Sequence, residues 1–530
     1  MIQKPQLTDL IQFLSNSYSY AQSEGEVSVL QTHISVVAIT ERFVYKLKKD
    51  VKFDFLDFST LEKRLFYCQE EVRLNQRLST HLYVGILPIY YDGQVLRFEK
   101  EGEIVDYVVQ MRRLSEEGLL INQIKSSDFQ ESQLDLLVNL LLNFYKNTPS
   151  SPEIAAFGSA ASIRNTMLEI TADFGEYTGQ TLTPLAGQWI KTYLFDFIDS
   201  HQQLVEQRIK AGKIIEGHGD LRSEHIHIEN DIVTIYDCLE FSQRLRCLDW
   251  LNDLAFLLMD LDYRHCHRLA VYIQTKLLEV LENGDFTPLL NFYKTYRACV
   301  RGKVDTLKFR ESEIAPTVRE ESRQKAARYF QLGFRYAILG AHPTVIVCMG
   351  GGATGKSTLA AALANELGLS VLSSDVIRKQ RAGINLLERL PDAERSQLYD
   401  EKTTENVYHE MEERGIHEVN QSGAVILDAT YRNKKYLTHL QEICKKNSIR
   451  LSVIQTVASK EIIQNRLKKR ESEPSISDLR SSDYTPERFE IGYSIEDFVE
   501  RGFKAETDRD MQEAIHQVIL PWLFQQNHPL

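Results

Sequence analysis

The sequence is poor in the features that settle a protein's class on their own. Its seven cysteines, at 68, 238, 247, 266, 299, 348 and 444, are scattered, odd in number and form no C-x-x-C pair. That excludes a disulfide framework and a zinc ribbon and leaves reduced, mostly buried thiols as the expectation. No apolar run reaches the length of a bilayer. The densest is LDLLVNLLLNF from Leu134, and the opening MIQKPQLTDLIQFL has no basic leader ahead of an apolar block. A cytosolic protein with no membrane partner is expected. Positive charge is also short, with 62 Lys and Arg against 74 Asp and Glu. The net charge of -12 opposes tracking along nucleic acid, which needs a basic face to release counterions. There is no internal repeat, low-complexity tract or Gly/Ser linker. At 530 residues, 43% of them apolar, the chain is too long for one core and should divide into two or three globular domains.

The most specific signal lies past the middle of the chain. An apolar run, TVIVCM, leads into GGGATGKST, residues 350–358, and on into KSTLAAALANEL, a helical stretch that stops at Gly368. The loop satisfies G-x-x-x-x-G-K-[ST] through Gly350, Gly355, Lys356 and Ser357, with Gly351, Gly352, Ala353, Thr354 and Thr358 completing it. Glycines let backbone N–H groups close around phosphates, the lysine neutralises the β- and γ-phosphates, and the serine hydroxyl reaches Mg2+. A strand before and a helix after are the context this motif requires, so ATP and Mg2+ are the expected cofactors. Apolar runs at 424–427 and 451–457, separated by helical stretches, predict an α/β domain with a parallel sheet covered on both faces.

The other strand ends in this region decide what the loop is for. The second strand ends in SSDVIRK and the third in ILDATYR, which puts Asp375, Arg378 and Asp428 at the carboxyl edge, where such sheets bind ligands. Asp375 there can take a proton from an attacking hydroxyl, Arg378 can hold an acidic group of an acceptor, and Asp428 can join Ser357 on the metal. Motor ATPases usually follow the Asp of the third strand with a Glu that activates water; Ala429 here favours transfer to an acceptor. Arg466 and Arg470 in RLKKR lie four apart on one helix face and suit a lid over the phosphates, although a solvated basic face explains them equally well. Tyr399 is the one side chain of the 384–420 stretch that stands out as a pocket candidate. Residues 343–530 resemble the P-loop kinases that include the zeta-toxin-like and polynucleotide-kinase-like phosphotransferases, through D-x-x-R after the second strand. The resemblance implies ATP as donor, Asp375 as base and Arg378 as acceptor clamp, with acceptors ranging from sugars to nucleic acid ends.

In the N-terminal half, HGDLRSEHIHIENDIVTIYDCLEF, residues 218–241, admits two readings. In the first, His225 and His227 alternate along a strand onto one face and Asp237 or Glu240 completes a zinc site; the run RHCHR at 264–268 is a similar temptation. In the second, H-x-D places Asp220 to accept a hydroxyl proton, a hairpin turns at 229–231, and Asp237 arrives at a strand end as a Mg2+ ligand. Upstream, VYKLKK offers Lys46, with Glu71 or Glu70 of the next helix to pair with it. Downstream, Asp249 and Asp253 read as carboxylates on the surface of an amphipathic helix, with bracing of the loop as the alternative.

The second reading resembles the aminoglycoside-phosphotransferase family, a branch of the protein-kinase-like fold, over residues 25–300. It implies an α+β domain with a small β-rich lobe and a larger helical lobe. The sequence departs from the family twice. The hairpin before Lys46, QTHISVVAITERFVYK, has no glycine, and His225 stands where the family carries Asn. Imidazole is a poor ligand for Mg2+, so either the metal site is altered or the domain has kept binding and lost catalysis. The chain as a whole resembles bacterial fusions of such a domain with a P-loop kinase: residues 1–315, a connecting helix at 316–342, and 343–530. The expected activity is transfer of the γ-phosphoryl of ATP to a hydroxyl-bearing acceptor. A polynucleotide 5′-hydroxyl kinase and an ATP-driven switch without an acceptor are the rivals.

Overall fold

The computed structural model describes residues 5–20, 25–53, 56–126, 129–485, 491–495, 502–508 and 510–527. Its contacts fall into two compact units, one made of residues 1–163, 203–257 and 272–283 and the other of 164–202, 258–271 and 284–530. No described helix is long and apolar enough to cross a membrane.

The first unit begins with a six-stranded antiparallel sheet. Its order is Ser28–Gln31, Ser35–Ile39, Phe43–Lys48, Glu103–Arg112, Tyr83–Tyr91, Leu96–Arg97. Period-2 alternation sends Val36, Ala38, Tyr45 and Leu47 onto one face, against Leu10, Phe13 and Leu14 of the first helix. The opposite face packs Val109 and Met111 with Tyr83 and with Cys68 of the helix Leu61–Asn75. Thr60 caps that helix by accepting a hydrogen bond from the Lys63 N–H at 3.3 Å. The strand Tyr83–Tyr91 escapes a periodicity reading because register shifts near Gly85 and Tyr90 break its phase and Pro88 interrupts it. Further on, Ile226–Glu229 and Ile232–Ile235 form the expected hairpin. Asn230 and Asp231 take φ of 51° and 60° at its turn, the left-handed pair that a two-residue hairpin loop demands.

The second unit is built on a five-stranded parallel sheet, ordered Val371–Ser373, Ala424–Asp428, Thr344–Met349, Arg450–Val457, Gly502–Glu506. Every residue of Thr344–Met349 and of Ala424–Asp428 is buried, as continuous apolar runs covered on both faces require. The edge strand Gly502–Glu506, GFKAE, carries no such run and is silent in the sequence. The same unit takes in the helices Pro184–Ser200, Thr287–Arg310 and Pro316–Leu339. The last of these, anticipated as a connector, is buried along its final turns through Phe330, Leu332, Phe334, Tyr336, Ile338 and Leu339. It ends on Gly340, whose N–H caps the Tyr336 carbonyl with φ of 72°.

Candidate active site

In the second unit the central strand runs straight into the loop 350–355, whose backbone is fixed by crowding. Gly350 has φ of 152°, and a Cβ there would lie 2.5 Å from Thr456 Oγ1 and 2.7 Å from Thr354 Oγ1, two hydroxyls that are themselves bonded at 2.7 Å. From behind, Thr507 Oγ1 donates to the Thr354 carbonyl at 2.6 Å. Arg466 Nη1 donates to the Ala353 carbonyl at 3.2 Å and to Thr507 Oγ1 at 3.0 Å. Arg466 therefore sets the shape of the loop, while Arg470, one turn along the helix Lys460–Ser472, lines the cleft in front of it. The two arginines predicted to act together face different tasks.

The helix Lys356–Leu367 starts at the loop's end, so its N-terminal N–H groups and the Ser357 hydroxyl face the cleft mouth. Lys356 Nζ donates to the Gly351 carbonyl at 3.0 Å. Burial lowers its pKa, with Asp428 and Asp375 pulling the other way. Asp428 ends its strand level with Cys348 and Ser373 of the neighbouring strands. Burial raises its pKa against the pull of Lys356 and Ser357, and its Oδ1 is buried without a hydrogen-bond partner. A buried carboxylate oxygen left unspent beside a serine hydroxyl is a donor pair of hard oxygens, which suits a small divalent cation.

The cleft has a volume of about 820 Å³ and extends well past the loop. Asp375 lies in the first turn of the helix Ser374–Arg381 and accepts a hydrogen bond from the Tyr399 hydroxyl at 3.3 Å. Desolvation raises the Tyr399 pKa, with the Asp375 charge adding to it, so Tyr399 stays a proton donor to that carboxylate. Arg378 is 4% exposed; its Nη1 donates to the Leu398 carbonyl at 2.8 Å and to Thr404 Oγ1 at 3.2 Å, and its guanidinium sits 4.4 Å from the Tyr399 ring centroid. Its Nε is buried without a hydrogen-bond partner. Arg395, Arg432 and Asp478 also line the cleft. Sequence motifs had singled out none of the three.

In the first unit Lys46, Glu71 and Asp237 lie together. Lys46 Nζ donates to Glu71 Oε1 at 2.9 Å and to Asp237 Oδ1 at 2.7 Å. Glu71, not Glu70, is thus the partner; Glu70 pairs with Arg73 at 2.8 Å. A second lysine unmarked by any motif, Lys48, donates to the other Glu71 oxygen at 2.6 Å and to Glu240. Burial opposes charge on Asp237, but Lys46 and His225 outweigh it and hold its carboxyl below the usual range. Asp220 is gripped through both oxygens by Arg222, at 2.9 and 2.8 Å. His225 Nδ1 lies 2.9 Å from the Asp220 carbonyl, and its Nε2 is 3.8 Å from Asp237 Oδ2.

The surface expectation for Asp249 and Asp253 is overturned, because both are buried. Asp253 accepts from the His218 N–H at 3.0 Å and the Gly219 N–H at 2.8 Å, bracing the loop, and Asp249 binds Arg208 through both oxygens at 2.7 Å. The zinc alternative does not assemble either. Among the described residues no group of three or more His, Cys, Asp or Glu is set to hold a metal. His227 Nε2 meets Ser115 Oγ at 3.1 Å, His265 meets Ser422 Oγ at 2.9 Å, and His267 meets Asp262 at 2.7 Å.

Comparison with known proteins finds similarity in both halves of the chain. Residues 345–487 match the family model described as an AAA domain. An uncharacterized protein of Mycobacterium tuberculosis (strain ATCC 25618 / H37Rv) is 29% identical over 412 residues, 77% of this chain and 79% of its own. A gluconokinase from Sinorhizobium meliloti 1021 is similar over 35% of this chain and 94% of its own, at 18% identity and a TM-score of 0.25. A spectinomycin phosphotransferase solved with ADP and spectinomycin is similar over 63% of this chain and 98% of its own, at 14% identity and a TM-score of 0.34. The C-terminal P-loop domain is similar to the AAA-domain family over residues 345–487.

Proposed function

We propose that the C-terminal domain transfers the γ-phosphoryl group of ATP to a hydroxyl of a bound acceptor, in the cytosol. One observation carries this: the phosphate loop ending in Lys356 shares a single roomy cleft with Asp375, a carboxylate whose hydrogen-bond partner among the described residues is the Tyr399 hydroxyl. The loop's N–H groups and Lys356 would hold the β- and γ-phosphates of ATP. Ser357 and Asp428 fit Mg2+, which when bound neutralises charge on the phosphate oxygens. The acceptor oxygen attacks the γ-phosphorus, the bond to the bridging oxygen breaks, and ADP departs with that oxygen. The acceptor's proton passes to Asp375, which Tyr399 holds in place. Arg470, within electrostatic reach of both Asp375 and Asp428, is positioned for the charge of the group in transit. Ala429, where a water-activating Glu would stand, supports transfer over hydrolysis, and the net charge of -12 weighs against a nucleic acid end as acceptor.

Replacing Asp375 with Asn removes the proton acceptor and keeps the shape. Acceptor phosphorylation, followed by label from γ-labelled ATP, is expected to fall at least about a hundredfold while ATP affinity stays unchanged. Undiminished transfer would sink the assignment.

For the N-terminal domain, the formed Lys46–Glu71 pair with Asp237 beside it supports nucleotide binding. The grip of Arg222 on Asp220, and His225 in place of Asn, weigh against rapid turnover. In a chain whose Lys356 is replaced by Met, so that the C-terminal site is silent, His225→Asn is expected to raise Mg2+-dependent transfer about tenfold or more by restoring an oxygen ligand. An unaltered rate and an unaltered Mg2+ dependence would make the imidazole incidental.

A further inference from the structure

Immediately after the metal-strand Asp428, the backbone does something a tyrosine avoids. Tyr431 is fully buried yet has φ of 44°, in the left-handed region. Such a conformation is strained for a bulky residue and persists only where its surroundings over-determine it. Here they do. The Tyr431 N–H donates to the Tyr408 hydroxyl at 3.0 Å, the Tyr493 hydroxyl donates to the Tyr431 carbonyl, and the Tyr408 ring stacks on Tyr436 at 4.2 Å.

The product of this locked turn is Arg432. It is exposed and lines the cleft, and among the described residues its side chain has no hydrogen-bond or ion-pair partner. Asn433, next in line, caps the helix Lys434–Lys446 by accepting from the Lys435 N–H at 3.1 Å, so the positive end of a thirteen-residue helix opens on the same wall. A second and independent sign comes from Arg378, which is 4% exposed and lines the cleft with its Nε unbonded. A cleft-lining cation with no ion-pair partner among the described residues, a helix N-terminus and a buried N–H without a partner together describe a place for negative charge.

We infer that the acceptor is a small polyhydroxyl compound carrying an anionic oxyanion group, carboxylate or phosphate, and that Arg432 receives that group with Arg378 Nε behind it. This rests on the phosphotransfer proposed above for the same cleft. It moves the clamp from Arg378, already tied down by Leu398, Thr404 and Tyr399, to a residue whose donors have no partner among the described residues. The anionic end anchors at Arg432 and leaves a hydroxyl to be presented to Asp375. A neutral sugar would leave the Arg432 charge unmatched.

The test uses a matched series that differs only in charge: glucose, glucuronate and glucose 6-phosphate. With ADP added to fill the nucleotide end, the full-length protein is treated with phenylglyoxal and the modified arginines are mapped by mass spectrometry. Glucuronate or glucose 6-phosphate is expected to protect Arg432, glucose is not, and which anion protects better distinguishes carboxylate from phosphate. Equal protection by glucose, or none by either anion, overturns the inference. With ATP in place of ADP, the protecting anion is expected to be phosphorylated, and Arg432→Ala to raise its KM about tenfold or more at nearly constant kcat, with partial rescue by Arg432→Lys. Protection without any transfer would leave the anion site standing and refute phosphotransfer instead. A fall in kcat at constant KM would refute the role given to Arg432.

Discussion

Lys356→Met is expected to lower phosphoryl transfer at least about a thousandfold without unfolding the protein. The two halves of that expectation have separate causes. The ammonium group is the charge that would meet the β- and γ-phosphates, and neutral Met supplies nothing in its place. In the free protein the same charge is a burden, since burial lowers its pKa and its hydrogen bond goes only to the Gly351 carbonyl. Met keeps the length and the apolar stem and removes the buried charge, so the melting temperature is expected to hold or rise slightly. Initial rates from ADP release, with thermal denaturation of the same preparations, check both halves. Whatever turnover survives in this variant is the ceiling on what the N-terminal domain does by itself. A variant that turns over like the native protein would show that the loop does not bind the transferred phosphate.

The largest effect on stability is expected from Lys48→Met. Lys48 is wholly buried, bonded to Glu71 at 2.6 Å and also to Glu240. Removing it strands the Glu240 carboxylate and half of Glu71, and breaking a buried pair from one side costs about 3–5 kcal/mol. Lys48→Met combined with Glu240→Leu should recover much of the loss, because Glu71 still has Lys46 at 2.9 Å. The pH dependence follows from the directions of the shifts. Burial opposes charge on Glu71, but Lys46 and Lys48 outweigh it and lower its pKa. That stabilisation is therefore complete above the unfolded carboxylate value of about 4.3 and is lost as pH falls through the folded value. Burial opposes charge on Lys48 too, yet Glu240 and Glu71 raise its pKa. Its share is complete below the unfolded lysine value of about 10.4 and is lost as pH rises through the folded one. Denaturant midpoints should thus show the full deficit of the single variant near neutrality and a smaller one in acid, where the stranded carboxylates take up protons. A deficit independent of pH would mean the loss is one of packing.

Local chemistry explains which parts of this molecule could be read in advance. The phosphate loop was legible because its glycines, lysine and serine are required by contacts within nine consecutive residues, and the central strands because burial on both faces leaves an unbroken apolar run. The Lys46–Glu71–Asp237 set was legible as an order of residue types. Lys48 was not, because its need for two carboxylates arises only when three distant segments meet. Arg432 stayed hidden for a related reason. Its side chain is set by a backbone turn at Tyr431 that no tyrosine announces, and it has no ion-pair partner among the described residues, which spacing does not reveal. Asp253 misled because an acidic residue at the head of an amphipathic helix usually faces water; here two loop N–H groups take it inside.

The helix Pro316–Leu339 has a consequence for where this chain can be divided. Its last turns sit in the same unit as the parallel sheet, and Arg450, at the start of the strand Arg450–Val457, donates to the Leu339 carbonyl at 3.1 Å. A chain divided at residue 343 would separate the sequence motifs but would also take the Leu339 carbonyl away from Arg450 and remove the buried final turns of this helix from the unit that contains the sheet.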